Sequence, residues 1–227
     1  MTASSLALSP RPTPIHYPDS DGQPMADNMT QFRLMVTAVG NLDSLLPDLV
    51  AGDLLWYPVE GDIRIRQAPD VMVAKGRPKG ERSSYKQWEE GGQPPQVVFE
   101  IVSPGNTFAE MARKHRFYER YGVSEYYVYD PDHLTLSVYI REGERLEEVE
   151  FVGGWVSPLL GIRMKVGQDL ELHGPDGERF LGFSEIKQRM DAAAQRAEAE
   201  AQRAEAEARR ADALAAQLRA LGIDPAV

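Results

Sequence analysis

The chain contains no cysteine, which excludes several classes of function. Without thiols there is no disulfide, no thiolate zinc site and no cysteine nucleophile. Any metal ligands must come from carboxylates, the four histidines or main-chain oxygens. This donor set favours hard cations.

Long apolar runs are also missing. No stretch approaches the roughly 20 residues of a membrane span, and the N-terminus lacks the basic start and apolar centre of a signal peptide. We therefore expect a cytoplasmic protein without membrane contact. With 227 residues and 42% hydrophobic content, the chain can form one substantial core plus appendages.

Positive charge is scarce, because 25 Lys and Arg face 35 Asp and Glu, for a net charge of −10. This balance argues against a general nucleic-acid binder. Two segments are nevertheless locally basic: Arg64, Arg66, Lys75, Arg77, Lys79, Arg82 and Lys86, and then Arg113, Lys114, Arg116 and Arg120. Solvated surface charge explains any one of these residues, and contact with a nucleic-acid backbone is the functional alternative.

The composition divides the chain into four parts. Residues 1–28 carry five prolines among polar residues and predict a flexible arm. Residues 29–182 combine a helix after the arm, short strands such as those in 53–60 and 63–76, a polar loop at 77–95, and a second helix that begins at a capping box and ends before a glycine. Strands flanked by helices predict an α/β or mixed α+β core.

The third part, residues 183–222, is rich in Ala, Glu and Arg, and residues 223–227 form a short tail. QRAEAEA at 195–201 recurs at 202–208, which is a heptad repeat. Glu200 and Glu207 occupy d positions and weaken the apolar seam, so a solvated single helix competes with a coiled coil. We predict a coiled coil through which the chain forms a homo-oligomer.

Glu100 stands in an apolar strand, between Phe99 and Ile101. Its neighbours on both strand faces are apolar, so we expect it to be buried. An ionised carboxylate buried without a partner is costly, and the position therefore requires a cation or dedicated donors. A structural salt bridge and a functional site are both open at this stage.

Two further residues are candidates for the same site. Asp70 follows a proline at the head of another apolar strand, where turn chemistry is the alternative explanation. Lys114 lies about 10 Å along the helix that follows Glu100, at 1.5 Å per residue. If that helix packs antiparallel to the strand, the ammonium reaches the carboxylate; its alternative is solvation at the surface.

These residues resemble the Uma-two family of bacterial endonucleases. The resemblance rests on Pro69-Asp70, on Glu100-Ile-Val-Ser-Pro, and on Lys114 followed by Tyr118 to Tyr126 (YERYGVSEY), and it covers roughly residues 30 to 182. It implies a restriction-endonuclease-like, PD-(D/E)XK core: a mixed sheet flanked by helices. Val102 stands where the wider superfamily has its lysine, and the family pattern implies that Lys114 supplies this lysine from the next helix.

The resemblance also implies a chemistry. Asp70, Glu100 and the main-chain carbonyl of Ile101 would bind Mg²⁺ or Mn²⁺, and Lys114 would assist hydrolysis of phosphodiester bonds in nucleic acid, with DNA expected. The hypothesis is then a nuclease. Two alternatives stay open: an inactive nuclease-fold scaffold that acts through its coiled coil, and a hydrolase of another phosphoester.

Other polar residues are weaker candidates. Asp53 and Glu60 could add a ligand or a base, but nothing local separates them from turn residues. His115 points about 100° away from Lys114 on a helix, which predicts a packed or surface histidine. The remaining histidines have no ligand spacing.

Overall fold

The structure is a computed structural model, and it describes residues 15–22, 24–150 and 154–222. Much of the predicted arm (1–14) and the tail (223–227) lie outside the described residues. The elements are α1 (Met29–Leu45), β1 (Asp48–Ala51), β2 (Trp56–Tyr57), β3 (Val71–Pro78), β4 (Tyr85–Lys86), β5 (Val97–Ile101), α2 (Phe108–Tyr121), β6 (Glu125–Asp130), β7 (Thr135–Glu142), β8 (Arg145–Val149), β9 (Trp155–Val156), β10 (Arg163–Val166), β11 (Leu170–His173) and α3 (Phe183–Ala220).

A six-stranded mixed sheet is the centre of the fold, in the order β1-β3-β5-β6-β7-β8. β5 and β6 are parallel, and the other neighbouring strands of this sheet are antiparallel. The α2 helix makes the crossover between β5 and β6, as a parallel pair requires. The predicted mixed sheet with flanking helices is therefore confirmed.

The two faces of β5 belong to different apolar clusters. Val97, Phe99 and Ile101 pack with α1 residues such as Met35, whereas Val98 packs on the other face with Tyr118 of α2. All five residues of β5 are buried, which explains the continuous apolar run in the sequence. Because side chains alternate along a strand, Glu100 points to the same face of the sheet as Val98, toward α2.

The helix predicted after the arm is α1, and it buries one face. Asn28 caps it, accepting a hydrogen bond from the Gln31 N–H at 2.9 Å. Phe32 and Val36 are apolar but lie 42% and 45% exposed. The buried face instead carries Gln31, Met35, Ala38 and Leu42.

Local signals set the bounds of α2. Thr107 accepts a hydrogen bond from the Glu110 N–H at 3.2 Å and begins the helix. Gly122 ends it with a φ of 96°, a left-handed conformation that glycine adopts without strain. The predicted helix from Thr107 to Gly122 is confirmed.

Some strands are shorter than the sequence suggests. Of residues 53–60, only Trp56 and Tyr57 form a strand, and it pairs in parallel with β4. Asp53 has a φ of 50°, outside the extended region. A separate antiparallel sheet has the order β11-β10-β9.

The C-terminal unit is the single helix α3, of 38 residues. None of its residues from Phe183 to Ala220 is buried. Pairs four residues apart, Lys187 with Asp191 at 3.1 Å and Glu205 with Arg209 at 2.5 Å, support it along its exposed surface. The predicted helix is present, and its pairing into a coiled coil stays a prediction. None of the helices within the described residues has the length and apolar composition needed to cross a membrane.

Candidate active site

Asp70 lies immediately before β3 and contacts the neighbouring strand β5. Its Oδ2 accepts a hydrogen bond from the Ile101 N–H at 2.6 Å. Because β3 and β5 are antiparallel and pair Val71 with Phe99, continuing that register brings Asp70 level with Glu100. Two carboxylates far apart in the chain thus meet at one end of the sheet.

Glu100 receives two donors from α2. Its Oε2 lies 2.7 Å from Lys114 Nζ, and its Oε1 accepts a hydrogen bond from the Tyr118 hydroxyl. Lys114 and Tyr118 are four residues apart, so both project from the same helix face. The expected approach of Lys114 to Glu100 is observed, and its role in catalysis stays a prediction.

Gln31 of α1 is a site residue that the sequence interpretation missed. Its Nε2 donates to both carboxylate oxygens of Asp70 at 3.3 Å and to the Ile101 carbonyl at 3.2 Å. Its Oε1 accepts from the Asp27 N–H at 2.8 Å, which fixes the orientation of the amide. The sequence held one signal for it, because Gln31 is a polar residue at helical spacing from the apolar residues Met35, Ala38 and Leu42, and all four lie on the buried face of α1.

The chain matches the profile of one protein family. The sequence profile of Uma2, described as "Putative restriction endonuclease", matches residues 5–170. The chain belongs to the Uma2 family. Its membership supports nuclease activity, and with it binding of nucleic acid. The match begins inside the segment 1–28 that the sequence interpretation separates as an arm.

A solved structure is similar to part of this Uma2 chain. The "putative nuclease belonging to DUF820" from Anabaena variabilis ATCC 29413 is 17% identical to it, with a TM-score of 0.38. The alignment covers 56% of this chain and 70% of the other. A search of curated proteins finds no significant match.

The charges at the candidate site are out of balance. Burial, together with the charge of Asp70, raises the pKa of Glu100 to about 7 although Lys114 opposes the shift. Burial also raises the pKa of Asp70. Burial by itself would lower the pKa of Lys114, but Glu100 and Asp70 hold it above its usual value. One ammonium therefore faces two carboxylates, which leaves the site short of positive charge.

Asp53 extends this negative region, whereas Glu60 is an exposed turn residue. Burial, Asp21 and Asp70 raise the pKa of Asp53 to about 6. Asp53 is positioned by its N–H, which donates to the Pro69 carbonyl at 3.0 Å, directly beside Asp70 in the chain. No local sequence signal distinguished Asp53 from Glu60.

His115 is packed, as its helical position predicts. Its ring contacts the rings of Tyr126 and Tyr139 at centroid distances of 5.8 and 4.7 Å. Across the ranges 15–22, 24–150 and 154–222, no group of three or more His, Cys, Asp or Glu side chains is arranged to hold a metal ion.

Most of the basic residues between 64 and 86 are already engaged. Arg82 pairs with Glu90 at 2.6 Å, and the Arg77 guanidinium donates to the Glu90 carbonyl at 3.0 Å. The other ion pairs of the segment are Arg64–Asp62, Lys75–Asp48, Lys79–Asp43 and Lys86–Glu89. These contacts engage the basic side chains, so the segment carries less unpaired charge than its sequence suggests.

Proposed function

We propose that this protein is a Mg²⁺- or Mn²⁺-dependent endonuclease that hydrolyses phosphodiester bonds of nucleic acid, with DNA as the expected substrate. The observation that carries the proposal is the convergence of Asp70, Glu100 and Lys114 at one end of the central sheet. Uma2 membership supports the nuclease activity itself.

The donors at this point suit a hard cation. The carboxylates of Asp70 and Glu100 and the carbonyl of Ile101 would hold Mg²⁺, which prefers oxygen ligands and usually keeps several waters while binding one or two carboxylates. Burial is the main cause of the raised pKa values of both carboxyls, and a bound cation would favour their ionised forms beyond what Lys114 alone provides. When bound, the ion would neutralise charge on the phosphate and acidify a water molecule.

The side chains around the carboxylates have positioning roles. Gln31 orients Asp70, and Tyr118 fixes one oxygen of Glu100. Lys114 keeps its proton, since its pKa is raised, and would stabilise negative charge that develops on the phosphate or orient the attacking water.

The test compares Asp70→Asn and Glu100→Gln with the unmodified chain in Mg²⁺-dependent cleavage of duplex DNA and of RNA. Both variants should lose cleavage while retaining the far-UV circular dichroism of the fold. Glu125→Gln is the matched control, because Glu125 is also 2% exposed but contacts Tyr127, Ser157 and Leu159. Retained cleavage in either site variant would remove the assignment.

One observation favours a non-catalytic scaffold as the second candidate. Lys114 and Tyr118 already occupy both carboxylate oxygens of Glu100, which is the arrangement of a structural ion pair. Calorimetric titration with Mg²⁺ and Mn²⁺ separates the two candidates. No heat of binding near neutral pH would favour the scaffold.

We also propose that the chain forms a homodimer through α3. Two domains joined in this way would supply two cutting sites, one for each strand of a duplex. The support is the heptad repeat together with exposed apolar side chains on α3, including Met190 and Leu214.

A further inference from the structure

Three arginines of α2 remain outside ion pairs, unlike most of the basic residues between 64 and 86. Arg113, Arg116 and Arg120 are exposed, and their spacing of three and four residues puts them on one face of the helix. We call them the α2 arginine strip. Within the part of the chain that the structure describes, none of the three forms an ion pair; Arg120 lies over the ring of Tyr121 at 5.6 Å.

The acidic residues of the same helix do not neutralise the strip. Glu110 accepts a hydrogen bond from the Asn106 side chain at 3.4 Å, and Glu119 accepts one from the Leu146 N–H at 2.9 Å. Three unpaired guanidinium groups are thus retained in a chain with a net charge of −10. This local excess of positive charge is complementary to an anionic polymer, and it contrasts with the net negative charge of the whole chain.

The dimensions of the strip fit a phosphate backbone. Arg113 and Arg120 are separated by about 10 Å along the helix axis at 1.5 Å per residue. Each strand of a duplex carries one phosphate per roughly 3.4 Å of its axis, so the strip spans about three phosphates. Guanidinium groups bind phosphate oxygens in a bidentate manner, which suits arginine better than lysine at this position.

We infer that the α2 arginine strip binds the phosphate backbone of duplex DNA outside the scissile phosphate. The inference rests on the proposed nuclease function, from which it takes the substrate. The same helix then serves two purposes, because its inner face directs Lys114 to Glu100 and its outer face holds the substrate. The strip contributes to affinity and carries no sequence information, since phosphates are the same at every base pair.

The experiment measures binding of a fluorescently labelled DNA duplex by anisotropy in EDTA, between about 50 and 200 mM salt. The variant is Arg113→Gln with Arg116→Gln and Arg120→Gln. At about 50 mM salt, we expect the dissociation constant of the variant to be at least about tenfold higher than that of the unmodified chain. The slope of log K against log salt should fall by about 2 to 3, because each phosphate that an arginine neutralises adds about 0.9 to it.

The matched control is Arg196→Gln with Arg203→Gln and Arg210→Gln, which removes the same charge from exposed positions of α3 and is compared at an oligomeric state that sedimentation shows to be unchanged. It should bind like the unmodified chain. The single variant Arg113→Gln should lower the salt slope by about 0.9, and it guards against misfolding of the triple variant. Circular dichroism checks α2, since Arg120 lies in its last turn.

Several results would overturn the inference. One is an unchanged dissociation constant and salt slope in the α2 variant, and another is an equal loss of affinity in the α3 control. Displacement of the duplex by polyglutamate as effectively as by unlabelled DNA would point to an acidic protein partner instead. Binding in EDTA requires no metal, so these results are independent of whether Asp70→Asn abolishes cleavage.

Discussion

Lys114 of α2 donates to Glu100 of β5 at 2.7 Å, with side chains that are 13% and 2% exposed. The pair joins the helix to the sheet close to Asp70, which accepts a hydrogen bond from the Ile101 N–H. Because the pair is buried, its two members depend on one another much more than a surface ion pair does.

Replacing Lys114 by methionine should therefore destabilise the domain. At a pH above the pKa of Glu100, the variant leaves the carboxylate buried without its cation, at a cost of about 3 kcal/mol or more in the free energy of unfolding. Urea unfolding measures the loss. The double variant Lys114→Met with Glu100→Gln should recover part of it, and equal stabilities of the single variant and the unmodified chain would contradict a buried ion pair.

Removal of the Tyr118 hydroxyl should affect both stability and cleavage. Tyr118→Phe deletes a hydrogen bond to a charged group, which is worth about 1.5 to 3 kcal/mol. It should lower the cleavage rate without changing DNA affinity, because Tyr118 orients Glu100 and does not face the arginine strip. Tyr121→Phe is the control, since the Tyr121 ring packs on Trp56 and Phe117. Equal effects of both variants would remove the positioning role.

Gln31→Glu tests whether a cation occupies the site. The variant places another carboxylate against Asp70 and the Ile101 carbonyl, so its melting temperature in EDTA should fall below that of the unmodified chain. Addition of Mg²⁺ should raise the melting temperature more in this variant, because the cation offsets the added charge. Gln31→Leu loses the same hydrogen bonds without the charge and should show no extra gain. A Mg²⁺ shift that is the same in Gln31→Glu and the unmodified chain would argue against a metal at Asp70.

Local signals made parts of this protein predictable from sequence. The capping threonine and the glycine fixed the ends of α2, and the rise per residue was enough to bring Lys114 level with Glu100. The shortened strand at 53–60 was not predictable, because Trp56 and Tyr57 pair with β4 across a long loop. Such pairing depends on tertiary contacts that alternation along the chain does not encode.

The hydrogen-bond and ion-pair partners of the polar side chains were harder to predict from the sequence than the helices and strands. Gln31 reaches Asp70 and Ile101 only because α1 lies over the ends of β3 and β5. Similarly, the basic loop residues are paired with acids of other elements, such as Asp43 and Asp48. A sequence shows the charges, but the fold decides which of them remain unpaired.

His115 should make the stability depend on pH. Burial between Tyr126 and Tyr139 lowers its pKa, Glu119 and Glu148 oppose that shift, and Arg116 adds to it. The unfolded chain therefore binds the proton more readily, so stability is lost as the pH falls from about 6.5 through the lower pKa of the folded state.

The measurement is the free energy of unfolding at about pH 7.5 and pH 5, on either side of an ordinary histidine pKa. His115→Gln should lose less stability on acidification than the unmodified chain. His133→Gln should behave oppositely, because Asp130 at 2.8 Å raises the pKa of His133 and its protonation favours the folded state. An identical pH dependence in His115→Gln and the unmodified chain would contradict the prediction.

Self-association through α3 should be limited by the glutamates at its seam. In the heptad frame, Met190 and Leu218 are a positions and Leu214 is a d position, whereas Glu200 and Glu207 put charge into the d layer. Replacing both glutamates by leucine should tighten the dimer, because apolar d residues bury against the partner helix. Sedimentation equilibrium of the full chain gives the dissociation constant.

The control for this variant is Glu198→Leu with Glu205→Leu, which makes the same change at b positions on the outside of the seam. It should leave the dissociation constant of the dimer unchanged, because b positions do not face the partner helix. Equal tightening by both double variants would indicate unspecific hydrophobic association. A full chain that stays monomeric at high concentration, with the d variant monomeric as well, would show that α3 acts as a solvated single helix, and duplex cleavage would then require two separate binding events.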